Sequence, residues 1–188
     1  MATKTGLAWR EFLAAGKEGQ RWEYVDGEVK FMSPMGFEHG HVVHLISGRL
    51  AWWQELADGW VSVGSGVGFT MTSGECLCPD AAAVRRERLP EALPKGPAPF
   101  PPDVAFEVIS PEDLPADIER KRDIYRENGV VQVWVNPLKR SVEVIGPLYG
   151  TRTFAEDETA VIKELPGFGM LLFPLLPKRV RDEKPGVG

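Results

Sequence analysis

Cysteine is nearly absent from the chain: two in 188 residues, Cys76 and Cys78. A pair so few and so close excludes a disulfide-stapled scaffold and fits a reduced, cytoplasmic chain. A Cys-x-Cys metal site would need partners that the nearby sequence does not offer, so the two thiols read as ordinary core or surface groups. No apolar run reaches the about 18 residues that a membrane-spanning helix requires. The opening MATKTGLAWREFL has charges inside its apolar part and no small-residue cleavage pattern, so no signal peptide is expected. Positive charge is also short, the net charge being −5 at pH 7. That excludes a surface built simply to blanket nucleic acid, because neutralising phosphates takes basic patches. It leaves room for a local basic groove, or for a site where bound divalent cations supply the charge.

Several catalytic signatures are missing too. GSGVG lies in a strand pattern with no helix after it, so it is not a nucleotide-binding fingerprint. EHGHVVH holds all three histidines, but His41 and His44 are three apart, not the four that a zinc-binding HExxH helix needs. On a helix His39 and His44 point about 140° apart, so the three cannot converge on one ion. His44 is expected to face solvent, and His39 is kept as a residue that could line a site. No Ser-His-Asp order stands out.

What is present is enough apolar matter for a core. Hydrophobic residues make up 43% of the chain, with six Trp and nine Phe, which fits one domain and rules out wholesale disorder. Leu7 to Ala15 reads as a short helix. RWEYV and EVKFMS flank Asp26-Gly27, the strongest two-residue hairpin signal. Phe37 to Ala57 has helical periodicity, and a 100° wheel puts Glu38, Val42, Leu45, Arg49, Trp53 and Leu56 on its inner side. WVSVGSGVGFTMT reads as one long strand, turning at Ser73-Gly74 into CLCPDAAAV. Residues 90–102 are a proline-rich exposed loop. The strand DVAFEVIS, the helix DLPADIERKRDIYRENG and the hairpin VVQVWV–SVEVIG follow, then weaker strands and an apolar end. This order predicts an α/β (α+β) protein, a mixed sheet with helices packed on it. One domain over residues 1–177 and a loose charged tail over 178–188 are expected.

The chemistry gathers on two strands and a helix. In DVAFEVIS, period-two alternation sets Asp103, Ala105, Glu107 and Ile109 on one face. Small Ala105 leaves room beside Glu107, and an ionised carboxylate among apolar neighbours needs a cationic partner. Asp80, in CPDAAAV, has the same setting. Two strands that each present a carboxylate beside alanines suggest a shared site for a hard cation with oxygen ligands; otherwise both carboxylates simply face solvent. On the following helix Leu114, Ile118, Lys121 and Tyr125 form a core-facing stripe. Of the consecutive Arg120, Lys121 and Arg122, only Lys121 is aimed at the sheet. Its ammonium either meets the strand carboxylates or snorkels to water. Glu38, at the start of the long helix, suits either a site or the helix dipole.

The succession EYVDGEVKFMSP, FEHGHVVHLISGRL, CPDAAAV, PDVAFEVISPED, ERKRDIYRENGVVQVWVNP and LPGF resembles the Uma-type family of restriction endonucleases, within the PD-(D/E)XK nuclease superfamily. The likeness runs from about Trp22 to Leu176. It implies a restriction-endonuclease-like fold and a metal-dependent endonuclease site that hydrolyses DNA, using Mg2+ or Mn2+. Asp80 and Glu107 would bind the metal, and a backbone carbonyl near Val108 or Ile109 would add an oxygen. The superfamily's lysine two residues after the glutamate is replaced by Ile109. The family instead places it on the next helix before a tyrosine, where Lys121 and Tyr125 match. Glu38 resembles the helix carboxylate of many superfamily sites. Pro102-Asp103 also fits the first motif but lies on the same strand as Glu107, so Asp80 is preferred. Arg85, Arg86, Arg88, Arg120 and Arg122 are the basic candidates for a phosphate track, and a homodimer would suit cleavage of two strands. Two alternatives stand beside this reading: a binding module that has lost cleavage, motivated by the broken motif and the acidic charge, and a metal hydrolase of non-DNA substrate built on Glu38, His39 and His41.

Overall fold

A computed structural model describes residues 21–147 and 149–176. The helix expected over Leu7–Ala15 and the tail after residue 177 lie outside them. The chain enters as a hairpin, β1 (Trp22–Val25) and β2 (Glu28–Phe31), with Trp22 opposite Phe31 and Val25 opposite Glu28. Its turn places Asp26 at φ 53° and Gly27 at φ 86°. Two left-handed residues in succession give the reversed turn whose twist matches the strands, and Asp-Gly tolerates it best.

Helix α1 (Phe37–Leu56) follows, then β3 (Trp60–Gly64), β4 (Phe69–Thr70), β5 (Cys76–Leu77) and β6 (Ala81–Arg85). The single long strand expected over WVSVGSGVGFTMT is therefore two strands in two sheets. The glycine-rich run between them, with Gly66 at φ 93°, turns the chain out of one sheet and into the other. Likewise CLCPDAAAV splits at Pro79, which cannot donate a ladder hydrogen bond. Then come β7 (Val104–Val108), α2 (Pro115–Glu127), the hairpin β8 (Val131–Asn136) and β9 (Ser141–Gly146), β10 (Gly150–Ala155), β11 (Thr159–Val161) and β12 (Gly169–Leu171). The main sheet has six strands in the order β10-β9-β8-β7-β6-β3, a smaller sheet has the order β2-β1-β5-β4, and β11 pairs with β12.

Within the main sheet only β7 and β8 run parallel. Parallel strands need a crossover, and α2 supplies it. All five residues of VAFEV are buried, as expected for a central strand covered on both faces. One face carries Val104, Phe106 and Val108 with Val131, Val133 and Val135, packed under Val42, Ile46, Leu50 and Trp53 of α1. The other carries Ala82, Ala105 and Trp134 under Ile124 and Tyr125 of α2. The mixed sheet between helices is thus the expected class, with the second sheet as an addition.

The inner stripe of α1 keeps Val42 and Trp53 as the wheel gives them but is turned toward Val43, Ile46 and Leu50 in place of Leu45, Arg49 and Leu56. Val42, Val43, Ile46, Leu50 and Trp53 are buried, while Leu56 is exposed. Arg49, which the wheel puts on the inner side, donates to the Leu45 carbonyl. Apolar residues nearly surround this helix, so the wheel lacks a sharp minimum and the sheet decides the face.

Candidate active site

Ala81 pairs with Phe106 and Ala82 with Ala105, so one step further along this antiparallel pair Asp80 lies opposite Glu107. Asp80 is tied there by its backbone: its N–H donates to the Phe106 carbonyl at 3.0 Å, and its Oδ2 accepts from the Val108 N–H at 2.9 Å. Both carboxylates are buried, each 6% exposed. Alternation along β7 turns Glu107 to the α2 side of the sheet, with Ala105.

Helix α2 delivers the cation. It starts on Pro115 at its first turn, where a missing N–H costs nothing. It stops at Asn128, with Gly129 at φ 68°. One turn before its buried end, Lys121 reaches Glu107 Oε1 with its Nζ at 3.1 Å. Tyr125, one turn on, donates its hydroxyl to the same oxygen at 2.7 Å. The Lys121 side chain is only 17% exposed, so the ammonium does not snorkel.

A third carboxylate joins them that sequence reasoning missed. Glu23, from β1 of the smaller sheet, meets Lys121 Nζ at 3.0 Å and accepts the Cys78 N–H at 3.0 Å, both on Oε1. Its signal was the one that drew attention to Glu107, a buried-type strand with one acid between aromatics. The hairpin gave no hint of which sheet it joins.

Charge and burial compete in this cluster. Burial, with Asp80 and Glu23 nearby, pushes Glu107 up to about 7, and Lys121 and the Tyr125 hydroxyl only partly offset it. Burial disfavours the Lys121 ammonium, yet Glu107 and Glu23 outweigh it and hold its pKa above the ordinary lysine range. Burial first, then the same carboxylates, raise the Tyr125 phenol well above its usual value. The hydrogen bond from His39 Nε2 to Asp80 Oδ1, at 3.3 Å, raises the His39 imidazole against the cost of its burial. Burial pushes both cysteine thiols up to about 12, so neither is a nucleophile.

Of the residues expected at the site, Asp80, Glu107, Lys121 and Tyr125 come together, and His39 stands at their edge. Val108 lines a cavity of about 280 Å³ with Glu107 and Lys121. Glu38 is exposed on the outer side of the first turn of α1, and His41 and His44 are exposed as well. The Glu38–His39–His41 grouping therefore does not form, because the rotation of α1 turns His39 inward and its neighbours out. Asp103 sits at the other end of its strand, holding the Arg85 N–H at 2.8 Å and the Arg88 guanidinium at 2.7 Å. Arg86 donates to the Trp60 carbonyl. Arg120 pairs with Asp26 and Glu75, and Arg122 with Glu143 and Glu119. All five guanidinium groups thus have partners within the fold, Arg85 the loosest, with its Nε 3.7 Å from Asp103 Oδ1 and its side chain 50% exposed.

Among the described residues no three His, Cys, Asp or Glu side chains group as a ready-made metal cage. The donor set fits a small hard cation nonetheless. Mg2+ takes one or two carboxylates and completes its shell with water and substrate phosphate oxygens. Both polar contacts of Glu107, the Lys121 ammonium and the Tyr125 hydroxyl, fall on one oxygen, Oε1. Glu23 and Glu107 share Lys121, while Asp80 has Arg21 at 3.9 Å and His39 beside it; three carboxylates against two permanent cations leave negative charge that a divalent ion would neutralise.

A model of the Uma2 family, described as "Putative restriction endonuclease", matches residues 9–173. Among solved structures the chain is similar to one described as a putative nuclease belonging to DUF820 from Anabaena variabilis ATCC 29413. The TM-score is 0.77 at 15% identity, covering 88% of this chain and 95% of that one, a likeness of fold. No curated protein matches. Among the described residues, no helix is long and apolar enough to cross a membrane.

Proposed function

The chain belongs to the Uma2 family, and from that membership and the cluster at Glu107 we propose that it is a metal-dependent endonuclease that hydrolyses DNA phosphodiester bonds. The observation that carries the reading is the meeting of Asp80 and Glu107 from adjacent strands with Lys121 from the crossover helix. Asp80 and Glu107 would hold Mg2+ or Mn2+, with a carbonyl near Val108 as a further oxygen. Bound there, the ion supplies Lewis-acid charge and lowers the pKa of its water. The chain's own residues do the positioning. Tyr125 and Lys121 fix Glu107 from one side, Glu23 fixes Lys121, and the Asp80 carboxylate is fixed by the Val108 N–H. The ammonium, on a side chain 17% exposed, would stand beside the reacting phosphate as a fixed charge, and preorganised charge of this kind stabilises the transition state. Two copies acting together would cut both strands.

The cavity beside Glu107 is also lined by Glu112, Asp113 and Asp117. Such an acidic mouth repels a phosphate backbone until cations neutralise it, which favours metal dependence over metal-free DNA binding. Supercoiled plasmid incubated with the protein is therefore expected to be nicked and linearised in Mg2+ or Mn2+ and to stay intact in EDTA. Plasmid left intact by a protein that demonstrably binds Mg2+ would refute the reading.

Metal binding should depend on pH in a defined direction. The Glu107 carboxyl must lose its proton to bind metal, and in the folded chain it does so at about 7. Being raised, it favours the metal-free fold below its unfolded value, and that contribution is lost as pH rises through about 7. Bound Mg2+ compensates for the loss. The rise in melting temperature caused by Mg2+ is thus expected to be largest at pH 8 and to fade toward pH 5, read by thermal denaturation with and without the ion. A shift of equal size at both pH values would contradict a Glu107 ligand.

A further inference from the structure

Arg21 has no role in the site as described, yet it sits against it. Its Nη2 is 3.9 Å from Asp80 Oδ1, beyond hydrogen-bond reach. Its Nε and Nη2 are both buried and have no acceptor among the described residues. The side chain as a whole is 25% exposed, so its other atoms reach the surface while these two donors lie beneath it. A guanidinium donor buried without an acceptor is costly, and the group's fork matches two oxygens of a carboxylate or phosphate.

Asp80 is not that acceptor. Its Oδ2 takes the Val108 N–H and its Oδ1 faces His39 Nε2. The neighbouring cations are occupied: Lys121 lies between two carboxylates, and Arg120 lies on Asp26 and Glu75. The five arginines expected to follow a phosphate backbone have partners within the fold. Arg21 is thus ion-paired with Asp80 at long range but lacks an acceptor oxygen within hydrogen-bond reach of its Nε and Nη2.

We propose that Arg21 is a phosphate-binding residue, its guanidinium donating to non-bridging oxygens of the DNA phosphate brought to Asp80 and Glu107. This rests on the nuclease reading, but its core is an anion site that can be tested apart from cleavage. The phosphate supplies the missing acceptors, and the positive charge compensates for the acidic mouth around Glu107.

The test uses the full chain, Arg21→Gln and Arg21→Lys. Binding of a labelled DNA duplex is measured across salt concentrations with Ca2+ replacing Mg2+, and thermal stability is measured with inorganic phosphate. Arg21→Gln is expected to weaken DNA binding about tenfold and to reduce the salt slope by about one phosphate contact. Arg21→Lys should keep the slope while losing part of the affinity, because a point charge replaces the fork. Phosphate should raise the melting temperature of the wild type but not of Arg21→Gln, and the Mg2+-induced shift should be the same in all three. Equal phosphate protection and equal salt slopes would overturn the proposal, even if the wild type cuts DNA. An altered Mg2+ response with unchanged DNA binding would overturn it too, making Arg21 a support for Asp80. Phosphate protection lost in Arg21→Gln in a chain that neither binds nor cuts DNA would refute the nuclease reading and leave the anion site standing.

Discussion

Glu107→Gln and Asp80→Asn are each expected to lower metal-dependent plasmid cleavage by about a thousandfold or more without unfolding the chain. Removing one fixed electrostatic group at a reacting centre costs about 10²- to 10³-fold, and these substitutions also remove a charge on which the metal depends. The amides keep the size of the side chain and most of the hydrogen bonding: Tyr125 still has an oxygen to donate to at position 107, and the Val108 N–H at position 80. The telling feature is the opposite sign of the effect on stability. Glu107 sits near Asp80 and Glu23, with burial raising its pKa to about 7. At pH 8, without metal, its ionised form works against the fold. Glu107→Gln should therefore melt at the same temperature as the wild type or higher, and lose the Mg2+-induced rise. Residues placed for chemistry commonly show this exchange of stability for activity. A variant that loses cleavage only because it melts far lower would place Glu107 in the structure and not in the reaction.

The parts of this site that were legible in the sequence are those where a single local period decides the geometry. Alternation along DVAFEVIS sets Glu107 apart from Val104, Phe106 and Val108, and the sheet buries them on opposite faces accordingly. On the short helix α2 a narrow stripe aims Lys121 and Tyr125 at the strand from the sequence alone, although Leu114, expected on the same stripe, precedes the helix and is 63% exposed. The resemblance to the nuclease family singled out the same residues, and for Asp80 over Asp103 it was the deciding consideration. Where several elements compete, local periods fail. Helix α1 is apolar on most sides, and packing against the sheet selects a face turned from the wheel's, leaving Glu38 outside and bringing His39 in. The run from Trp60 to Thr72 satisfies strand propensity throughout, yet the glycines between Gly64 and Gly68 allow the chain to leave one sheet for another. Arg21 and Glu23 were missed for the deepest reason. Glu23 belongs to the smaller sheet and Arg21 immediately precedes its first strand, and only the packing of two sheets brings them to Lys121 and Asp80.

The link between those two sheets is also where the largest loss of stability is expected. Lys121→Met keeps the apolar stem and deletes the ammonium that Glu23 and Glu107 share at 3.0 and 3.1 Å. Breaking a buried pair by removing one partner leaves uncompensated charge and costs about 3–5 kcal/mol. Here one cation serves two carboxylates, so the upper part of that range is expected at pH 8 in urea denaturation without metal. The cost should shrink toward pH 5. With the ammonium gone the folded Glu107 carboxyl rises further, and a raised carboxyl disfavours the fold only above its unfolded value, where it must either ionise or hold its proton against the solvent. Neutralising the stranded charge should restore the fold: Lys121→Met with Glu23→Gln is expected to recover much of the loss, an interaction well beyond simple additivity. Cleavage should not return with it, since the restored fold still lacks the ammonium beside the reacting phosphate. A loss under about 1 kcal/mol that does not vary with pH is what an exposed ion pair would give, and it would mean that the ammonium does not join the two sheets at all.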